Sequence, residues 1–143
     1  MQFWDTSALL PLVVRQPPFS EQCRRIFRRR AARATAFVSR VECRSAIERL
    51  ARDGALDSAA RRRCVARTER LFAAFDLVTF SADVEREALA LLGRHPLRSL
   101  DALQLACALA LGHGGGDTVQ LVCRDRRLAA AGIAERLSLA IQP

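Results

Sequence analysis

The sequence predicts an α/β fold with a mostly parallel central sheet of four to five strands flanked by helices. Three observations carry this prediction. Short apolar runs alternate with longer helical ones along the chain. The strand candidates are apolar enough to be covered on both faces. The run from Ser99 to Leu111 is apolar almost all round, with Asp101 its single charge, so it belongs in a core rather than on a surface. A length of 143 residues, half of them hydrophobic and without a repeat or linker, fits a single domain over 1–143.

Taken in order, Gln2–Asp5 reads as a buried strand followed by a helix from Ser7 to about Val14, and Pro17-Pro18 breaks the chain. Residues 19–33 place Phe19, Cys23, Ile26 and Phe27 on one helical face and arginines on the other. Ala34–Val38 is the second strand. Ser39 is expected to cap a helix to Arg52 with Val41, Ile47 and Leu50 inward, and Asp53-Gly54 turns the chain into a helix over 57–74. Leu77–Phe80 is the third strand, and Ser81 or Asp83 caps a helix ending near Arg94. After His95-Pro96 come the core helix of 99–111, a glycine-rich loop at 112–117 and a strand at 119–123. A helix at 126–131 stopped by Gly132, and a last strand at 137–141, complete the chain.

The net charge is +8, and every basic side chain is arginine: there are 23 Arg and no Lys. Guanidinium forks suit phosphate or carboxylate partners, so both a nucleic acid and an acidic protein segment are open. The arginines at 24–33 and 61–63 read either as contacts to nucleic-acid backbone or as solvated helix faces. Five cysteines without a C-x-x-C pair favour a reducing cytoplasm over disulfides or zinc. No basic leader and no apolar run of spanning length is expected.

Against this basic background two acids stand alone in apolar settings, Asp5 and Asp101. A buried carboxylate must be hydrogen-bonded, paired or bound to a cation. Asp5 ends the first strand, Glu42 lies just beyond the second and Asp125 just beyond the fourth. Asp101 starts the core helix. Ligands of open parallel sheets bind beyond the carboxyl ends of strands, so the four are expected on one rim. Hard divalent cations such as Mg²⁺ or Mn²⁺ relieve such crowding through oxygen ligands. Each acid also has a purely structural reading. Asp5 and Asp125 could cap the following helices, and Asp125 could instead pair with Arg124, Arg126 or Arg127. Asp101 could serve the helix dipole, and Glu42 could close a capping box with Ser39.

Four blocks give the chain a resemblance. They are Trp4-Asp5-Thr6-Ser7-Ala8-Leu9, Val38-Ser39-Arg40-Val41-Glu42, Arg98-Ser99-Leu100-Asp101-Ala102-Leu103-Gln104-Leu105-Ala106 and Leu121-Val122-Cys123-Arg124-Asp125-Arg126-Arg127-Leu128. In their order and spacing the chain resembles the PIN-domain nucleases, most closely the VapC-like toxins of toxin–antitoxin pairs. The resemblance implies a three-layer PIN-like fold and an acidic Mg²⁺ or Mn²⁺ site of Asp5, Glu42, Asp101 and Asp125, supported by Ser7. It further implies endonucleolytic cleavage of RNA, a cognate antitoxin and a homodimer. Two positions depart from the pattern. Cys123 stands where threonine is usual, which makes the role of Asp125 less secure. Gln104 stands where histidine is frequent, a change expected to affect packing only.

Phosphodiester hydrolysis needs an activated water and charge stabilisation, which one or two bound cations provide. Asp5 and Asp101 are expected as principal ligands, with Glu42 and Asp125 as ligands or bases. Arg40, Arg44 and Arg98, close in sequence to the acids, are candidates for gripping a phosphate. His95 and His113 read as surface residues, which argues against cleavage by a histidine pair. The absence of lysine excludes a P-loop and speaks against a phospho-receiver or an aspartate-nucleophile phosphatase. Without a G-x-S-x-G elbow, Ser7 does not suggest a serine hydrolase. The competing reading is a PIN-like module that binds RNA or protein without cutting.

Overall fold

Phe3 and Trp4, adjacent residues of the strand Gln2–Trp4 (β1), are both fully buried, yet they enter different hydrophobic clusters. Alternate residues of a strand face opposite ways, so a strand apolar at both must be covered on both sides. The computed structural model describes residues 1–113 and 118–141. The sheet is completed by Arg33–Ala36 (β2), Asp76–Val78 (β3), Gln120–Val122 (β4) and Ser138–Leu139 (β5). Its order is β3-β2-β1-β4-β5, and every pairing is parallel. β1 is therefore central, and the direction of winding reverses between β1 and β4.

Helices fill the space on both faces. Thr6–Val13 (α1), Phe19–Phe27 (α2), Val38–Arg52 (α3) and Ser58–Phe72 (α4) gather around Trp4 and Val122. Trp4, Phe27 and Phe75 form an aromatic knot there, with the phenylalanine rings edge-on to the indole. Ala82–Arg94 (α5), Ser99–His113 (α6) and Arg126–Ala134 (α7) cover Phe3, Ala34, Ala36 and Leu121 on the other face. The alanines of β2 let α6 approach closely, and α6 buries Ala102 and the whole stretch Gln104–Ala108. The three-layer arrangement is the one expected.

Several local expectations are corrected. The second helix stops at Phe27, because Arg33 turns back to donate to the carbonyls of Phe27 and Arg29 and stacks over the Phe27 ring. Ser39 does not cap α3: the helix starts a residue earlier, at Val38, and Ser39 is fully buried inside it. Val41 faces outward at 60% exposure, since Cys43 and Ile47 take the inner face. Gly132 does not stop α7. It lies within the helix, where a Cβ would meet Leu121 Cδ2 at 2.7 Å, so helix and strand touch because it is glycine. The left-handed residue that ends α7 is Arg136, at φ 67°. His95 is half-buried rather than on the surface, its ring nitrogen 2.7 Å from Glu135 Oε1, which ties the end of α5 to the end of α7. Of the expected loop at 112–117, residues 112 and 113 belong to α6; residues 114–117 and the side chain of His113 lie outside the described residues.

Candidate active site

The switch between β1 and β4 places two chain exits side by side. Asp5 follows β1, and its amide donates to the Val122 carbonyl at 3.0 Å. Extended backbone at Asp5 lets its carboxylate cap α1, accepting from the Ser7 amide at 2.9 Å. The Ser7 hydroxyl in turn accepts from the Arg124 amide at 2.9 Å, fastening the two exits together. Asp125 caps α7 in the same manner, with Oδ1 taking the Arg127 amide at 2.8 Å and the Leu128 amide at 3.0 Å. The capping roles foreseen for Asp5 and Asp125 are therefore real, and they aim both acids at the carboxyl edge.

The other two acids arrive on helices. Asp101 sits in the first turn of α6, half-buried rather than enclosed. Glu42 lies one turn into α3. The capping box foreseen for it does not form, because α3 has no side-chain cap. Its Oε2 instead accepts from Thr6 Oγ1 at 2.6 Å and from Gln104 Nε2 at 2.9 Å. Gln104 thus does more than pack. It is a buried polar contact of an acid, beyond the packing role expected from the sequence.

The acids feel one another. Asp5 is 5% exposed, and burial pushes its pKa up to about 6, against hydrogen bonds from Ser7 that lower it; the charges of Glu42 and Asp101 raise it further. Burial also raises Asp101, followed by the charge of Asp125, while a backbone hydrogen bond and the charge of Arg98 work the other way. Fully buried Cys123 stands among them: burial first, then Asp5, Asp125 and Asp101, push its thiol to about 12. Among the described residues none of the four acids enters a salt bridge, although the chain carries 23 arginines. Arg40 of α3 pairs with Glu69 of α4, and Arg44 with Glu48 within α3 at 2.6 Å. Of the three arginines named from the sequence, Arg98 is the one whose charge acts on one of the four candidate acids, Asp101.

The donor set is all oxygen and negatively charged, which suits a hard divalent cation. As the side chains stand, no three His, Cys, Asp or Glu among the described residues close on a common point as a metal cage would. The roles of three residues of this region escaped the sequence reading. Thr6 and Gln104 hold Glu42, and Arg124 stacks over the Phe19 ring beside the β4 exit. Gln104 left a signal: it is the uncharged polar residue of an otherwise apolar helix, one turn after Asp101.

A parallel sheet with Asp5 and Asp125 at the exits of β1 and β4, and Glu42 and Asp101 brought near them on helices, defines the class, an α/β domain with an acidic rim. The PIN domain family model matches residues 3–134, and the chain belongs to the PIN-domain family. Among solved structures it is similar to VapC20 of Mycobacterium tuberculosis, described as a sarcin–ricin loop cleaving toxin, at 20% identity over 100% of both chains and a TM-score of 0.70. It is also similar to FitAcB of Neisseria gonorrhoeae, at 14% identity over 97% of this chain and 96% of that one, with a TM-score of 0.73. A toxin–antitoxin complex from Klebsiella pneumoniae is similar at 17% identity over 90% and 91% of the two chains, with a TM-score of 0.67. At these identities the likeness shows the fold. No curated protein matches the chain.

Proposed function

We propose that this PIN domain is a divalent-metal-dependent endoribonuclease, the toxin of a toxin–antitoxin pair. One observation carries the reading: a nearly enclosed carboxylate, Asp5, coupled to Glu42 and Asp101 and left without a cationic side chain in a chain of net charge +8. Asp5, Glu42, Asp101 and Asp125 would hold Mg²⁺ or Mn²⁺. When bound, the ion supplies an acidified water and positive charge against the phosphoryl oxygens.

The protein's own part is positioning. Ser7 fixes Asp5 through its amide and ties it to β4 through Arg124. Thr6 and Gln104 occupy one oxygen of Glu42, leaving the other to a cation. Asp125, anchored by two amides, keeps a second oxygen at an exposed position suited to orienting water. Arg98, whose charge favours the ionised form of Asp101, is the arginine assigned to a phosphate oxygen. The cognate antitoxin, a homodimer and a cytoplasmic setting belong to the same reading; five free, buried cysteines suit a reducing compartment, and among the described residues no helix is long and apolar enough to cross a membrane.

A second reading, a PIN-like module that binds without cutting, is favoured by one observation: the acids do not close on a common point as placed. Cleavage of a labelled RNA with Mg²⁺ or Mn²⁺, by wild type and by Asp5→Asn, separates the two. Activity lost on chelation and in the variant supports the enzyme. Cleavage that persists in EDTA defeats the metal mechanism, and an intact RNA pool throughout supports the binder.

A further inference from the structure

We propose that Gln104 is a positioning residue, holding Glu42 in register for a divalent cation through a one-way hydrogen-bond relay anchored on the β1 backbone; the inference rests on the metal-site reading above. Gln104 is 1% exposed. Its Nε2 lies 2.8 Å from Ser39 Oγ, 2.9 Å from Glu42 Oε2 and 3.2 Å from Thr6 Oγ1. An amide nitrogen can only donate. Further along, Thr35 Oγ1 lies 2.6 Å from the Trp4 carbonyl oxygen and 2.8 Å from Ser39 Oγ.

Proton counting fixes the direction. The Trp4 carbonyl can only accept, so the single Thr35 proton goes there. The contact between Thr35 and Ser39 must then be donated by Ser39. Ser39 has a lone pair left for one Gln104 N–H, and the second Gln104 N–H is delivered to Glu42, with Thr6 as a longer neighbour. The relay runs Gln104 to Ser39 to Thr35 to Trp4 and cannot reverse.

Turning the amide over would face its oxygen to the Glu42 carboxylate. It would also draw the Ser39 proton away from Thr35. The orientation imposed by the anion leaves a visible residue: Gln104 Oε1 is buried without a partner. A glutamine retained only to fill space would pair its carbonyl. Here the carbonyl is unpaired, while one hydrogen goes to Glu42 and the other to the Ser39–Thr35–Trp4 relay. Glu42 Oε2 is thereby occupied by Thr6 and Gln104, and Oε1 is the oxygen left to a cation.

The test compares wild type with Gln104→Met, Gln104→His, Ser39→Ala and Asp5→Asn, each first melted by circular dichroism. Mn²⁺ binding is read by calorimetry, and kcat and KM are read separately on a labelled RNA. Gln104→Met is expected to weaken Mn²⁺ about ten-fold and lower kcat by a similar factor with KM unchanged. Gln104→His, which keeps a ring N–H donor, recovers most of both, and Ser39→Ala falls between. Wild-type Mn²⁺ affinity in Gln104→Met, with binding lost in Asp5→Asn, overturns the relay and leaves the metal reading standing. A wild type that binds no Mn²⁺ ends both. Should Gln104→Met not fold, the His and Ser39→Ala variants decide in its place. Metal-free NMR reads the relay independently: the Gln104 side-chain amide hydrogens are expected to be protected from exchange, and to lose protection in Ser39→Ala. Rapid exchange in the wild type overturns the proposal.

Discussion

Asp5 caps a helix and carries an unwelcome charge with one carboxylate. Its pKa is raised from 3.8 to about 6 in the folded protein, chiefly by burial. The stability it contributes is therefore complete below pH 3.8 and is lost as pH rises through about 6. Ionising it costs the metal-free fold about 3 kcal/mol at neutral pH. Asn caps helices as well as Asp. Asp5→Asn is thus expected to stabilise the metal-free protein at pH 7.5 by about 1–3 kcal/mol in urea unfolding. The gain should vanish near pH 4, and Mn²⁺ should reverse the ranking by stabilising only the wild type. A variant that is less stable at pH 7.5 contradicts this account of Asp5. Cys43, Cys107 and Cys123 follow the same physics, all pushed up to about 12 by burial. They are expected to resist iodoacetamide at pH 8 in the folded protein and to react in urea, as mass spectrometry would read. Asp5 and Asp101 were legible in the sequence because each is a lone charge in an apolar run. Gln104 stood out as a polar residue one turn after Asp101, but its partner was not legible, because the acid it serves is 62 residues away.

At the scale of elements, the sequence signals that held were those with a local cause. Ser81 caps α5, accepting from the Val84 amide, and Gly54 turns the chain after α3 at φ 75°. The signals that failed were overridden by packing. Gly132 looks like a helix stop, yet it is the point where α7 rests on β4. Gly132→Ala gains up to about 1 kcal/mol of helix propensity but drives a methyl into fully buried Leu121, which costs about 1–3 kcal/mol. A net loss of stability is expected in thermal or urea unfolding; a rise in melting temperature would show that Leu121 gives way. Ser39 at the S-x-x-E spacing was likewise persuasive locally. The structure buries it between Thr35 and Gln104 instead, because α3 must present its inner face to the sheet.

For the whole molecule, topology brings acids from positions 5, 42, 101 and 125 to one edge: the winding reverses beside β1, and parallel strands send their exits the same way. The arginine surface then encloses an acidic rim in a basic body, net charge +8. Such a surface predicts RNA affinity that falls steeply with salt: for Asp5→Asn, log K against log salt should have a slope of about −0.7 per phosphate contacted. A flat salt dependence in filter binding would return the arginines at 24–33 and 61–63 to plain solvated faces. The most direct test of the central claim is a crystal of the wild type soaked in Mn²⁺, with anomalous scattering measured at the manganese edge. A peak ligated by Asp5, Glu42 Oε1 and Asp101 is expected. A map with no manganese among these carboxylates, each still closed on its own amide or hydroxyl donors, would contradict it.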